Sequence, residues 1–182
     1  MPVTIRTAVP EDAAGLAEVA AATFALACPP HTTEEAKATF IAEVLSESCF
    51  AEYLSDPERA LFLAQESDGL MVGYTMLVFR EPKDPDVLAA ISSHPSAELS
   101  KCYVRAGHHG VGVAARLMSE SLDRARARGA SGVWLGVNEE NARAQRFYAK
   151  HGFERVGTKH FLVGDRLEDD YVMELGLNPR RP

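Results

Sequence analysis

The apolar positions of this chain change rhythm several times, and each change marks an element. Ile5-Arg6-Thr7-Ala8-Val9 reads as a short strand stopped by Pro10. From Asp12 the rhythm turns helical: Leu16, Val19, Ala20, Phe24 and Ala27 share one face until Pro29-Pro30 ends the run. Thr32 and Glu35 have capping-box spacing, and Ala36, Phe40, Ile41, Val44 and Leu45 form the stripe of a second helix. Leu61-Phe62-Leu63-Ala64 and Leu70 to Arg80 suit two strands, with the Asp-Gly hairpin signal of Ser67-Asp68-Gly69 between them. Glu81 to Pro95, which holds three of the ten prolines, reads as an exposed loop inside one domain.

The second half repeats the alternation in longer pieces. Glu98 to Val104 predicts a strand. Gly112 to Arg128 predicts a helix with Val113, Leu117, Met118, Leu122 and Ala125 on one face, closed by Gly129. Val133-Trp134-Leu135-Gly136-Val137 is continuously apolar, as in a strand covered on both faces. Asn138 to His151 predicts a helix stopped by Gly152, and strands near Val156–Val163 and Tyr171–Leu175 close the chain around Gly164-Asp165. The expected fold is therefore α/β: one domain over residues 1–182, with a mixed central sheet of about seven strands flanked by about four helices.

Composition narrows the partners. Nineteen Lys and Arg against 26 Asp and Glu leave a net charge of −7, which speaks against a nucleic-acid groove binder and agrees with a cationic substrate. The longest strongly apolar run, Leu70 to Phe79, is about half of the ~20 residues a membrane-spanning helix needs. Met1 to Val9 lacks the pattern of a secretory signal. Cys28, Cys49 and Cys102 have no metal-ligand spacing and read as reduced thiols, so the expectation is a cytoplasmic protein without metal or membrane contact.

The stretch from Tyr103 to Ala114 carries the most chemistry. A strand enters a turn with Gly110 and Gly112, and the turn enters a helix start, where backbone N–H groups suit a phosphate or pyrophosphate. A plain strand–helix connection is the alternative. The Gly-Lys-Ser/Thr of a P-loop is absent, and Gly110-x-Gly112-x-x-Ala115 lies too far from Val104 and too late in the chain for a dinucleotide fold.

Here the residues match a known pattern. His109-Gly110-Val111-Gly112-Val113-Ala114 resembles the acyl-CoA loop of the GNAT superfamily, Gln/Arg-x-x-Gly-x-Gly/Ala, with His109 where Gln or Arg is usual. Asn138 to Phe153 resembles that family's Asn-x-x-Ala-x-x-Phe-Tyr-x-x-x-Gly-Phe helix. Glu98 to Val104, Trp134 to Val137, and Phe161 with Gly164, Asp165, Asp170 and Met173 are similar to the PaiA-type branch, known for polyamine N-acetyltransferases. Lys159 and Glu168 depart from that branch's usual His and Gln.

The resemblance implies an acetyl-CoA-dependent N-acetyltransferase acting on a small primary amine, such as a polyamine, with no metal. The backbone of Tyr103 and Val104 would pair with the pantetheine arm and polarise the thioester carbonyl. The amides of His109, Gly110, Val111, Gly112, Val113 and Ala114 would take the pyrophosphate, and Asn141 the cofactor arm. Tyr148 would serve as acid toward the departing thiolate. The position where some relatives carry a glutamate base is Gly136, which leaves Glu98 as the candidate base. Asp165, Asp169 and Asp170 on the last hairpin are candidates for a second ammonium group. His108 and His94 read as solvated, and Cys102 as core. Acetylation of a protein N-terminus or lysine, or of an aminoglycoside-like amine, and a non-catalytic acyl-CoA sensor are the competing readings. Dimers are common in the family, so a homodimer is compatible with it.

Overall fold

The structure is a computed structural model that describes residues 2–177, with Phe161 described by its backbone only. In chain order it contains β1 (Val3–Thr7), α1 (Ala13–Ala27), α2 (Glu34–Val44), α3 (Glu47–Ser55), β2 (Arg59–Glu66), β3 (Met71–Val78), α4 (Pro85–Ala90), β4 (Ser96–Val104), α5 (Val113–Ala127), β5 (Gly132–Asn138), α6 (Ala142–Lys150), β6 (Glu154–Val163) and β7 (Arg166–Gly176). The seven strands form one sheet in the order β1-β2-β3-β4-β5-β7-β6. Only β4 and β5 run parallel; every other neighbour pair is antiparallel.

The two faces of the sheet bury different clusters. Ala97, Leu99, Val133 and Leu135 face α5, whose Leu117 and Met118 are wholly buried. Leu61, Leu63, Tyr74 and Met76 face α1 and α3 through Leu16, Phe24 and Phe50. Fully burying side chains of this size contributes about 1.5–3 kcal/mol each, so both layers are needed to hold the sheet. The start of α1 is fixed from outside the helix. Asp12 is 7% exposed and grips Arg6 through two 2.8 Å contacts while accepting the Val9 amide. The Arg6 guanidinium accordingly holds the Asp12 carboxyl below its usual range.

Six α-helices are present among the described residues, against about four expected. The capping residue of α2 is Thr33, one place later than the sequence pattern suggests, with its hydroxyl accepting from Ala36 N at 3.1 Å. Leu45 does not continue that helix. Ser46 caps a new one, α3, which turns Phe50 into the core. The expected exposed loop at 81–95 contains α4, whose Val87 packs with Ile91 on Trp134 and Val172. No described helix is long and apolar enough to cross a membrane.

Candidate active site

The site begins where the sheet opens. β4 and β5 pair through three rungs, Ser96 with Gly132, Ala97 with Val133 and Glu98 with Trp134. Beyond Glu98 they part: β4 stays with β3 to Val104 and β5 stays with β7 to Asn138. A cavity of about 870 Å³ occupies the wedge, reaching from the loop before α5 to the underside of α1, α2 and α3.

One side of the cavity is built from backbone. Gly110 and Gly112 hold φ of +80° and +84°, left-handed values that glycine adopts without a Cβ penalty, and a Cβ on either would meet nothing within 4 Å. The chain is thus turned so that open space lies over the start of α5. The first N–H groups of that helix, from Val113 on, have no acceptor within it and concentrate positive potential there. Val113 is buried and anchors the helix start, whereas Val111 stands 69% exposed on the rim. His109 turns inward, its Nε2 2.6 Å from the Val104 carbonyl, so its ring ties the loop to the end of β4. Asn141 caps α6, its Oδ1 accepting from Ala144 N at 3.1 Å, and the residue also lines the cavity. A phosphate-bearing acyl carrier fits these features: left-handed glycines, orphan helix amides and an open strand edge.

Tyr148 stands on α6 with its hydroxyl beside the Cys102 thiol of β4. Burial raises the Tyr148 phenol well above its ordinary value and pushes the Cys102 thiol up to about 12. Both therefore keep their protons near neutrality. Cys102 is a neutral wall group rather than a nucleophile.

The opposite side is built from charges, brought together by a bulge. Leu77 pairs with Leu99 and Met76 with Lys101, which leaves Ser100 as an extra residue on β4. In a regular strand Glu98 and Lys101 would point to opposite faces; the bulge returns both to the face of Tyr103 and Met76. Both line the cavity together with Arg59. Burial raises the Glu98 carboxyl, partly offset by Lys159, Lys101 and Arg59, and lowers the Lys101 ammonium to about 8.

Lys159 on β6, two strands from β5, reaches back over Gly136. A Cβ at Gly136 would meet Lys159 Cε at 2.6 Å and Asp170 Oδ2 at 3.3 Å. The missing side chain at Gly136 is the space that Lys159 occupies. Its Nζ lies 4.0 Å from Asp170 Oδ2, while Asp170 Oδ1 is buried without a hydrogen-bond partner. Burial pushes the Asp170 carboxyl up to about 6. Glu168, 7% exposed, meets His31 Nε2 at 2.5 Å and so pins the α1–α2 connection across β7.

The structure brings Glu98, Tyr103, Val104, His109, Gly110, Gly112, Ala114, Asn141, Tyr148 and Asp170 to one cavity. It does not bring the three hairpin aspartates together. Asp165 sits exposed at the β6–β7 turn, and Asp169 faces outward to His160 at 2.8 Å. His108 is not solvated but half-buried against Glu66 at 2.8 Å, and the exposed His94 is held by Glu81. Sequence reasoning missed Arg59, Lys101 and His31 as cavity or roof residues. Arg59 precedes the apolar run that marks β2, and no glycine or proline announces the bulge that turns Lys101 inward.

The profile of the Acetyltransferase (GNAT) family matches residues 22–153. An uncharacterised N-acetyltransferase of Mycobacterium tuberculosis is 49% identical over 162 residues, 89% of this chain and 96% of the relative. The streptothricin acetyltransferase of Streptomyces lavendulae is 29% identical over 123 residues, 67% of this chain and 59% of the relative. Among solved structures, the PaiA N-acetyltransferase of Thermoplasma acidophilum in complex with coenzyme A superposes with a TM-score of 0.77 at 21% identity, covering 97% of this chain and 100% of that one. At that identity the likeness concerns the fold.

Proposed function

The chain belongs to the GNAT family of acetyl-CoA-dependent N-acetyltransferases, and from that premise we propose that its acceptor is the primary amine of a small molecule, which attacks the acetyl thioester directly with both substrates bound. The observation that carries the reading is the continuity of one cavity from the orphan amides of α5, past Tyr148, to the unpartnered carboxylate oxygen of Asp170. The acyl carrier would enter from the first end and the amine from the second.

Each residue then has a task. The loop from His109 to Ala114 holds the pyrophosphate, the β4 edge at Tyr103 and Val104 aligns the pantetheine arm, and Asn141 braces it from α6. The Val104 carbonyl accepts from His109, and the uncovered N–H groups of that edge are the donors that polarise an acyl oxygen. Tyr148 remains protonated and donates a hydrogen bond to the sulfur as negative charge builds there. Glu98, its carboxyl raised by burial, accepts the proton that the amine sheds, directly or through a water. Asp170 attracts the incoming ammonium.

The finer reading, a PaiA-type polyamine acetyltransferase, draws support from the fold likeness above and from the carboxylates Glu98, Glu168 and Asp170 in the cavity. Five cations line the same cavity, Arg143 and Lys150 on α6 and Arg59, Lys101 and Lys159 around Glu98 and Asp170, and a bare polyamine does not complement them. The test is thiol release from acetyl-CoA across a panel of amines. Turnover should require the amine, and Tyr148→Phe should lower kcat by about a hundredfold or more while acetyl-CoA affinity stays nearly unchanged. Silence across the panel, with acetyl-CoA still bound, sinks the catalytic reading and favours an acyl-CoA sensor.

A further inference from the structure

The cations of the acceptor side are not used by the reaction just described. Lys101 makes no hydrogen bond and no ion pair within 4.0 Å among the described residues, although Glu98 shares its face. Arg59 is held from behind: its Nε meets Asp56 Oδ2 at 3.1 Å, its Nη1 the Met76 sulfur at 3.7 Å, and its guanidinium lies 4.6 Å from the centre of the Tyr53 ring. Asp56 is itself shared with Arg80 at 2.8 Å. The remaining terminal nitrogen of Arg59, Nη2, makes no hydrogen bond among the described residues, and both Arg59 and Lys101 line the cavity.

Two cations lining one cavity, with no anion ion-paired to both within 4.0 Å among the described residues, repel each other. Burial disfavours the charged form of Lys101 most, Glu98 offsets part of that, and Arg59 adds to it. Such a pair is relieved when a ligand supplies a negative group, and a planar anion suits the open edge of a guanidinium held in place by a stacked ring and a carboxylate. We propose that the acceptor carries a carboxylate beside its reactive amine, and that Lys101 and Arg59 form the subsite for that carboxylate. The inference rests on the reading of this cavity as the acceptor site of a small-amine acetyltransferase, and it names the acceptor class as an amino acid or a close derivative. Glu98 and Asp170 meet the ammonium end of such a molecule, so the cavity is matched at both ends. The Ser100 bulge is what makes this arrangement available, since it sets an anion and a cation on one face three residues apart.

Matched pairs of acceptors that differ only in the carboxylate test this directly: L-lysine against cadaverine, L-ornithine against putrescine, and L-leucine against isoamylamine. The amino acid should exceed its decarboxylated partner in kcat/KM by about tenfold or more in at least one pair, with the difference mainly in KM. Lys101→Met should collapse that ratio toward one, and Lys101→Arg should retain it. A ratio is insensitive to loss of folded enzyme or of chemical competence, so a poorly folded variant does not mimic the result. Equal or better turnover of the bare amines by the wild type overturns the inference and leaves the acetyltransferase reading standing. Turnover of neither member of any pair, by an enzyme that binds acetyl-CoA, overturns the small-amine reading and this inference with it.

Discussion

Asp170 shows what a functional position costs a fold. Its Oδ1 is buried without a partner, and burial outweighs the nearby Lys159 in setting its protonation. Raised from 3.8 to about 6 in the folded chain, the carboxyl binds a proton more tightly there than when unfolded. Stability therefore falls as pH rises from about 4 to 6, and the penalty is complete above about 6. Asp170→Asn removes it: the variant should gain about 1–3 kcal/mol at pH 8 in denaturant melts, a gain that fades toward pH 4. The same substitution should weaken the amine and erase a fall in kcat/KM as pH drops through about 6. A variant less stable than the wild type at pH 8, or one with an unchanged acidic limb, would remove Asp170 from both roles.

Among the elements, α5 and its preceding loop were legible in the sequence and the wall facing them was not. A glycine turn followed by an amphipathic helix is a local pattern, so Gly110, Gly112 and the stripe from Val113 to Ala125 can be read residue by residue, and the same holds for the α6 helix through Asn141 and Tyr148. Gly112 makes the local character testable. An alanine there must adopt a left-handed conformation at a cost of about 1–2 kcal/mol and would place a methyl group in the space over the α5 amides. Gly112→Ala should lower acetyl-CoA affinity by about tenfold or more in calorimetric titration, with little change in the KM of the amine; full affinity would place the phosphate site elsewhere. By contrast, the facing of Lys101 depends on one unannounced bulge, and the lodging of Lys159 in the space left by Gly136 depends on strands β5, β7 and β6 being neighbours. Neither is a local property. The break between α2 and α3 was missed for a related reason: Leu45 continues the apolar stripe, and only the Ser46 cap shows that a second helix begins.

At the scale of the whole molecule, the charge of −7 suggested a cationic partner, and the structure redistributes that surplus. Three carboxylates, Glu98, Glu168 and Asp170, line the cavity with five cations, Arg59, Lys101, Arg143, Lys150 and Lys159. The acidic excess therefore lies outside the site, where it raises the local concentration of positively charged solutes without deciding which of them fits. Discrimination belongs to the paired charges within.

The three-rung contact between β4 and β5 has a mechanical consequence. Past Glu98, each strand presents an inner edge whose amides no protein strand covers, so the centre of the sheet, ordinarily its most protected part, should exchange with solvent like a rim. A bound acyl carrier would act there as a missing strand. Deuterium uptake followed by mass spectrometry should show slow exchange in β1–β2 with or without acetyl-CoA, and protection of peptides spanning 101–104 by about tenfold only when it is bound. If those peptides are equally slow in the free protein, the opening in the sheet is already sealed by the chain itself. If they respond as expected, the substrate completes the tertiary structure of its own enzyme.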